Sequence, residues 1–63
     1  MDKETIKKIR IKALMNKEEF AEAMGVSAGT VTNWEKGTYN ITMRNWRKVL
    51  AFCREKGIDV EKL

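Results

Sequence analysis

Only three residues, at positions 25–27, separate two short segments that have the periodicity of helices. The first segment covers about residues 17–24 and the second about residues 28–36. A connection this short forces two helices to cross at a steep angle. A close crossing needs a small side chain at the contact, and Ala21 stands one helical turn before Gly25. We therefore predict two short helices held at a fixed angle.

Capping signals mark both ends of these segments and predict two further helices, over about residues 3–14 and 43–56. Asn16 and Glu19 have the spacing of a capping box, and Met15 and Phe20 flank them at the spacing of a hydrophobic staple. Glycine favours a helix end because the left-handed backbone costs it little. Asp59 is expected to cap one last turn. The expected helix caps are Asp2, Asn16, Ser27 and Thr42, and the terminating glycines are Gly25, Gly37 and Gly57.

Apolar residues at three- and four-residue spacing predict which helix faces are buried. The stripe of the first helix is Ile6, Ile9, Ala13 and Leu14; Val31 and Trp34 anchor the third helix; and the stripe of the fourth helix is Met43, Trp46, Val49, Leu50 and Cys53. Phe52 projects away from the last stripe, which leaves two interpretations open. The tail could cover Phe52 through Ile58, Val60 and Leu63, or Phe52 could be an exposed anchor in a homodimer interface.

The length of 63 residues and the four predicted helices point to an all-α fold, a small four- to five-helix bundle forming one domain over residues 1–63. The chain contains no histidine and one cysteine, Cys53, which argues against a zinc site, an internal disulfide and histidine-based catalysis. We therefore expect no enzymatic activity, no cofactor and no small-molecule ligand. Neither a signal peptide nor a membrane span is evident, so a cytoplasmic location is expected.

The outward face of the third helix has the composition of a surface that binds DNA. At 100° per residue, its members fall within an arc of about 140° that carries no acid and no large apolar side chain. Asn33 can pair with adenine, Thr32 can meet a thymine methyl group, and Lys36 can reach guanine or phosphate. A net charge of +4 is compatible with a polyanionic partner. The candidate base-contacting residues are Ala28, Gly29, Thr32, Asn33 and Lys36.

Residues 18–37 resemble the helix-turn-helix of the lambda-repressor/Cro-like (Xre-type) family and read EEFAEAMGVSAGTVTNWEKG. Ala21, Gly25, Val31 and Trp34 fall at the spacing of that family, and the ending Glu35-Lys36-Gly37 is characteristic of it. The resemblance covers about residues 5–53. It implies a helix-turn-helix unit at about residues 17–36 and a sequence-specific regulator of transcription that binds double-stranded DNA, of a phage or mobile-element repressor type.

The resemblance also implies roles for residues outside the third helix. Arg10 is expected to form a partly buried ion pair with Glu35. Lys17 stands where the family often has glutamine, and Ala28 and Gly29 stand where longer base-reading side chains are frequent, which shifts the expected readout towards Thr32 and Asn33. Besides Lys36, the phosphate contacts implied by the resemblance come from Asn16, Lys17, Thr38, Tyr39, Asn40 and Arg44.

Two questions about partners stay open at the level of the sequence. One such module reads few base pairs, so a homodimer on two half-sites is expected. The alternative function is an antitoxin-like or adaptor module that uses the same scaffold to bind proteins without reading DNA. The lysines of the first helix, at positions 3, 7, 8 and 12, are interpreted as a solvated face rather than as a second DNA contact.

Overall fold

The computed structural model describes residues 3–63, so Asp2, the expected cap of the first helix, lies outside the described residues. Within residues 3–63, four α-helices and a final 3₁₀ turn follow one another. They are α1 (Lys3–Lys12), α2 (Lys17–Met24), α3 (Ala28–Lys36), α4 (Met43–Lys56) and the 3₁₀ turn (Val60–Lys62). Residues 3–63 contain no strand, and the predicted all-α class is confirmed. No helix in this range is both long and apolar enough to cross a bilayer.

Side-chain caps begin α2, α3, α4 and the 3₁₀ turn at the predicted positions. The Asn16 side chain accepts a hydrogen bond from the Glu19 backbone N–H at 2.8 Å, and the Glu19 carboxylate accepts one from the Asn16 N–H at 2.9 Å. This reciprocal pair is the predicted capping box. Ser27, Thr42 and Asp59 also cap as expected, accepting from the backbone N–H groups of Thr30, Asn45 and Glu61.

The end of α1 differs from the prediction because a leucine, and not a glycine, adopts the left-handed backbone there. Leu14 has φ of 58°, its N–H donates to Ile11 O at 2.9 Å, and the Met15 N–H donates to Arg10 O at 3.2 Å. These two bonds close a Schellman-type end, so α1 stops at Lys12. The expectation that Leu14 belongs to the buried stripe is wrong, since the turn directs its side chain outwards and leaves it 91% exposed.

The core lies where α1, α2, α3 and α4 meet. The Phe20 and Phe52 rings pack edge to face with their centroids 5.5 Å apart, which joins α2 to α4. The buried residues are Ile6, Ile9, Phe20, Ala21, Met24, Val31, Trp34, Val49, Phe52 and Cys53. Ile58, Val60 and Leu63 pack against this cluster. Phe52 is therefore a core residue beside the tail, and its interpretation as an exposed dimer anchor is wrong.

The packing of Phe52 also corrects the predicted face of α4. Val49 and Cys53 are buried as expected, but Met43 is 67% exposed and Leu50 is 38% exposed. The Phe52 ring packs against Phe20, so the buried face of α4 runs through positions 49, 52 and 53. This face is rotated about the helix axis relative to the predicted one. Leu50 then points partly to solvent.

Candidate nucleic-acid interface

The junction between α2 and α3 is a tight turn built around Gly25. This glycine adopts the left-handed conformation (φ 71°, ψ 31°), in which a side chain would be strained. The Val26 N–H donates to Ala21 O at 3.0 Å and so closes the end of α2. Lys48 of α4 also donates from Nζ to Met24 O at 3.4 Å, placing a positive charge at the C-terminal end of α2, where the helix dipole favours it.

The inner face of α3 is fixed by burial and by an ion pair. Val31 is fully buried and Trp34 is 5% exposed, and both belong to the core. The Arg10 guanidinium donates from Nε to Glu35 Oε2 at 2.8 Å and from Nη2 to Glu35 Oε1 at 3.2 Å. Its Nη1 donates to Met15 O at 3.1 Å, so one side chain ties α3 to the turn that follows α1. The hydrogen bond to Glu35 raises the pKa of Arg10 above its ordinary value.

The outer face of α3 has a different character. Gly29 and Lys36 are exposed, and Thr32 and Asn33 are half-buried. Within residues 3–63, no hydrogen bond or ion pair uses the side chain of Thr32, Asn33 or Lys36. The structure turns Ala28 partly towards the core, where it packs against buried residues. The polar side chains predicted to contact bases therefore share one accessible face and have no internal partners.

The hydroxyl groups of Thr30 and Thr32 differ in whether they form hydrogen bonds within the protein. The Thr30 hydroxyl lies 2.9 Å from Ser27 Oγ, and the Thr30 N–H donates to the same oxygen at 3.2 Å. Thr30 thus takes part in the cap of α3. The Thr32 hydroxyl, one half-turn later, takes part in no such bond in the described part of the chain.

The residues predicted to contact phosphate fall into two groups. One group lies at the start of α2, where Asn16 is exposed but uses its side-chain oxygen in the cap, and Lys17 is half-buried. The other group follows α3, at the loop that leads into α4 and in the first turn of α4. Its members are Thr38, Tyr39, Asn40 and Arg44, all of which are exposed. Both groups carry hydroxyl, amide or cationic side chains at exposed or half-buried positions.

Comparison with known proteins agrees with this geometry. A family model described as helix-turn-helix matches residues 6–60, from α1 into the 3₁₀ turn. The chain belongs to the helix-turn-helix family. Within it the match is to the Cro/C1 (Xre-like) type, whose members are DNA-binding regulators, as the sequence resemblance implied. Comparison with curated proteins and with solved structures gave no match.

Within this helix-turn-helix domain, the fold brings one further cation to the loop after α3. A Cβ atom built on Gly37 would lie 3.0 Å from Cδ of Lys3, so the start of α1 lies over the end of α3. Lys3 also lines an open cleft of about 550 Å³ together with Tyr39 and Asn40. The sequence interpretation of Lys3 as part of a solvated face did not foresee this position. No local signal could have revealed it, because the contact joins residues far apart in the chain.

Proposed function

We propose that the protein is a sequence-specific transcription regulator of repressor type that reads the DNA major groove with the outer face of α3. One observation carries this proposal. The side chains of Thr32 and Asn33 stay accessible and have no partner among residues 3–63, although their neighbours Val31 and Trp34 fix α3 in the core. A rigid helix that presents unpaired polar groups meets the requirement for direct readout.

The chemistry of this face suggests a division of labour. The Asn33 amide can donate and accept in a bidentate pair with adenine N6 and N7. Thr32 offers a methyl group for thymine and a hydroxyl for hydrogen bonding, and Lys36 offers a charge for guanine or phosphate. Ala28 packs partly against the core, so we assign it van der Waals contact at most.

Gly29 supports the proposal because the fold itself does not need a glycine there. A Cβ built at this position would meet only Ser27 Oγ, at 3.8 Å, and the backbone is helical. Glycine nevertheless costs a helix interior about 1 kcal/mol relative to alanine. A close approach of the α3 N-terminus to DNA would explain why glycine occupies this position, whereas internal packing does not explain it.

Phosphate contacts would set the position of α3 without reading sequence. We assign them to Asn16 and Lys17 at the start of α2, and to Thr38, Tyr39, Asn40 and Arg44 after α3. Lys17 and Arg44 would release counterions on binding, so affinity should fall steeply as salt rises.

The remaining parts of the proposal concern domain organisation, location and the number of copies bound to DNA. Residues 1–63 are proposed to form one non-enzymatic domain that acts in the cytoplasm. Because a single α3 covers few base pairs, we propose that two copies bind half-sites spaced by about one helical turn, roughly 34 Å. A palindromic site would be the mark of this arrangement on the DNA.

The direct experiment is selection of binding sites from a random pool of duplexes with the full chain. The proposal expects enrichment of a short motif and a ratio of specific to non-specific affinity of about 10³ or more. Affinity should fall with salt in a linear plot of log K against log salt. Failure to enrich any motif would contradict sequence reading and favour the protein-interaction alternative.

A matched pair of variants assigns the readout to α3. Asn33→Ala should reduce discrimination between the selected duplex and one with a single adenine replaced, by about 1–3 kcal/mol or roughly 5- to 150-fold. Asn45→Ala removes the same amide from a half-buried position on α4 and should keep that ratio. Equal losses in both variants would refute the assignment.

A further inference from the structure

A second surface, which shares no residue with the proposed DNA interface, lies at the end of α1 beside the 3₁₀ turn. Ile11 is 55% exposed and Leu14 is 91% exposed, although both are large apolar side chains. With Leu63 they line a shallow groove of about 480 Å³. Three lysines complete its lining, and we call the whole set the α1 patch: Lys8, Ile11, Lys12, Leu14, Lys62 and Leu63.

Leu14 is the most unusual member of the α1 patch. It adopts the left-handed conformation that Gly25, Gly37 and Gly57 adopt at the ends of the other three helices. A leucine is strained there, whereas glycine is not. Since the side chain is almost fully exposed, packing within the protein does not compensate for this strain. The two backbone hydrogen bonds that end α1 stabilise this conformation, and a contact outside the chain would give the exposed apolar side chain a role.

The charges around the α1 patch indicate the chemistry of that contact. Among the described residues, the lining of the groove contains three lysines and no acidic side chain. Lys8, Lys12 and Lys62 take part in no salt bridge among residues 3–63. A two-fold contact between copies would bring the same lysine-rich surface against itself, which like charges disfavour. A partner that carries acidic side chains beside an apolar ridge would complement both the three lysines and the exposed Leu14 side chain.

We propose that the α1 patch docks an acidic amphipathic helix of a partner protein. Ile11 and Leu14 contact the apolar ridge of that helix, which presents anchors at i, i+3, i+4 and i+7. Lys8, Lys12 and Lys62 lie at the rim against its carboxylates. They speed association and select against basic helices more than they add affinity. The protein would thus hold a partner and DNA on separate surfaces.

The test uses three synthetic helical peptides and the isotope-labelled full chain, followed by amide chemical shifts. One peptide carries a leucine ridge flanked by glutamates, the second has lysines for the glutamates, and the third has serines for the leucines. Only the first should shift resonances around Ile11, Leu14 and Lys62. Its affinity should exceed that of each comparator by at least about tenfold, or roughly 1.4 kcal/mol.

Two variants keep the test independent of folding. Leu14→Asn removes the apolar group but suits the left-handed backbone, and it should weaken the acidic peptide at least about tenfold. Met43→Ser removes a side chain that is 67% exposed outside the patch and should leave the peptide affinity unchanged. Leu14→Asn should also keep its selection of DNA duplexes, which separates failure of this proposal from failure of the proposed DNA function.

Any of the following outcomes would overturn the proposal. They are absence of binding by the acidic peptide, equal binding of the lysine peptide, unchanged affinity in Leu14→Asn, and sedimentation showing a dimer that Leu14→Asn dissociates. The last result would identify a second copy of the chain as the occupant. Peptide-induced shifts confined to α3 would also contradict it, because they would place the peptide on the proposed DNA surface.

Discussion

The inner and outer faces of α3 are built from neighbouring residues but differ in burial and in hydrogen bonding. On the inner face, Val31 and Trp34 are buried and Glu35 is held by two hydrogen bonds from Arg10. On the outer face, the side chains of Thr32 and Asn33 have no hydrogen-bonding partner within residues 3–63. The inner face therefore fixes the position of the helix. The outer side chains are not needed for internal packing and are available for an external contact.

This contrast implies that stability and recognition can be changed separately. A substitution on the inner face should alter the free energy of unfolding and should affect DNA binding only through the fold. A substitution on the outer face should alter binding and leave unfolding nearly unchanged. Four changes test the separation, taken from the largest expected effect to the smallest.

Trp34→Ala should produce the largest loss of stability. Truncating a buried tryptophan costs about 3–5 kcal/mol, which is most of the stability of a small domain. Urea denaturation followed by circular dichroism measures the loss. Tyr39→Ala is the control, since it removes an aromatic ring that is 64% exposed and should cost no more than about 0.5 kcal/mol. Similar losses in both variants would contradict the distinction between the faces.

Glu35→Ala should destabilise the protein by about 2–3 kcal/mol. The change leaves the Arg10 guanidinium partly buried without its carboxylate, while the bond to Met15 O remains. A double-mutant cycle with Arg10→Met should show a coupling energy of at least about 1 kcal/mol. A melting temperature equal to that of the wild type would show that the ion pair does not fix α3.

Gly29→Ala should stabilise the protein by about 0.5–1 kcal/mol while weakening DNA binding. The helical backbone and the free space around its Cβ position allow alanine without strain. The added methyl group would stand between the start of α3 and the groove. Thermal melts and duplex titrations of one preparation give both values. A variant that is more stable and binds DNA as tightly as the wild type would contradict the proposal that Gly29 allows α3 to approach DNA closely.

Lys36→Ala should leave stability within about 0.5 kcal/mol and reduce the salt slope of DNA binding by about one. Lys56→Ala is the matched control because both lysines are exposed in the last turn of a helix. Lys56 lies 5.9 Å from the Phe52 ring centroid, so its loss can cost a little stability but should not change the salt slope. Identical slopes in both variants would place Lys36 outside the interface.

The sequence predicted helices α2, α3 and α4 with their observed bounds because their end signals are local. Asn16, Ser27 and Thr42 cap as expected, and Gly25 and Gly37 end helices as expected. The end of α1 was missed because no local rule favours a leucine in the left-handed backbone. The burial of Phe52 was left open because its direction depends on a tertiary contact with Phe20.

The candidate site was predictable for a similar reason. Helical periodicity places Thr32 and Asn33 on the side of the helix that faces away from Val31 and Trp34, so their shared face follows from the sequence alone. The position of Lys3 beside Gly37 was not predictable, since it requires knowing how α1 packs across the end of α3. Whether these residues contact bases and phosphates stays a prediction.

Amide chemical-shift mapping with the selected duplex tests the central claim most directly. The isotope-labelled chain is titrated with that duplex and with a scrambled duplex of the same length. The selected duplex should give the largest shifts at Gly29, Thr32, Asn33 and Lys36, whereas the scrambled duplex should leave the Thr32 and Asn33 resonances nearly unmoved. Largest shifts on the α1 patch, with Thr32 and Asn33 unchanged by either duplex, would contradict the central claim.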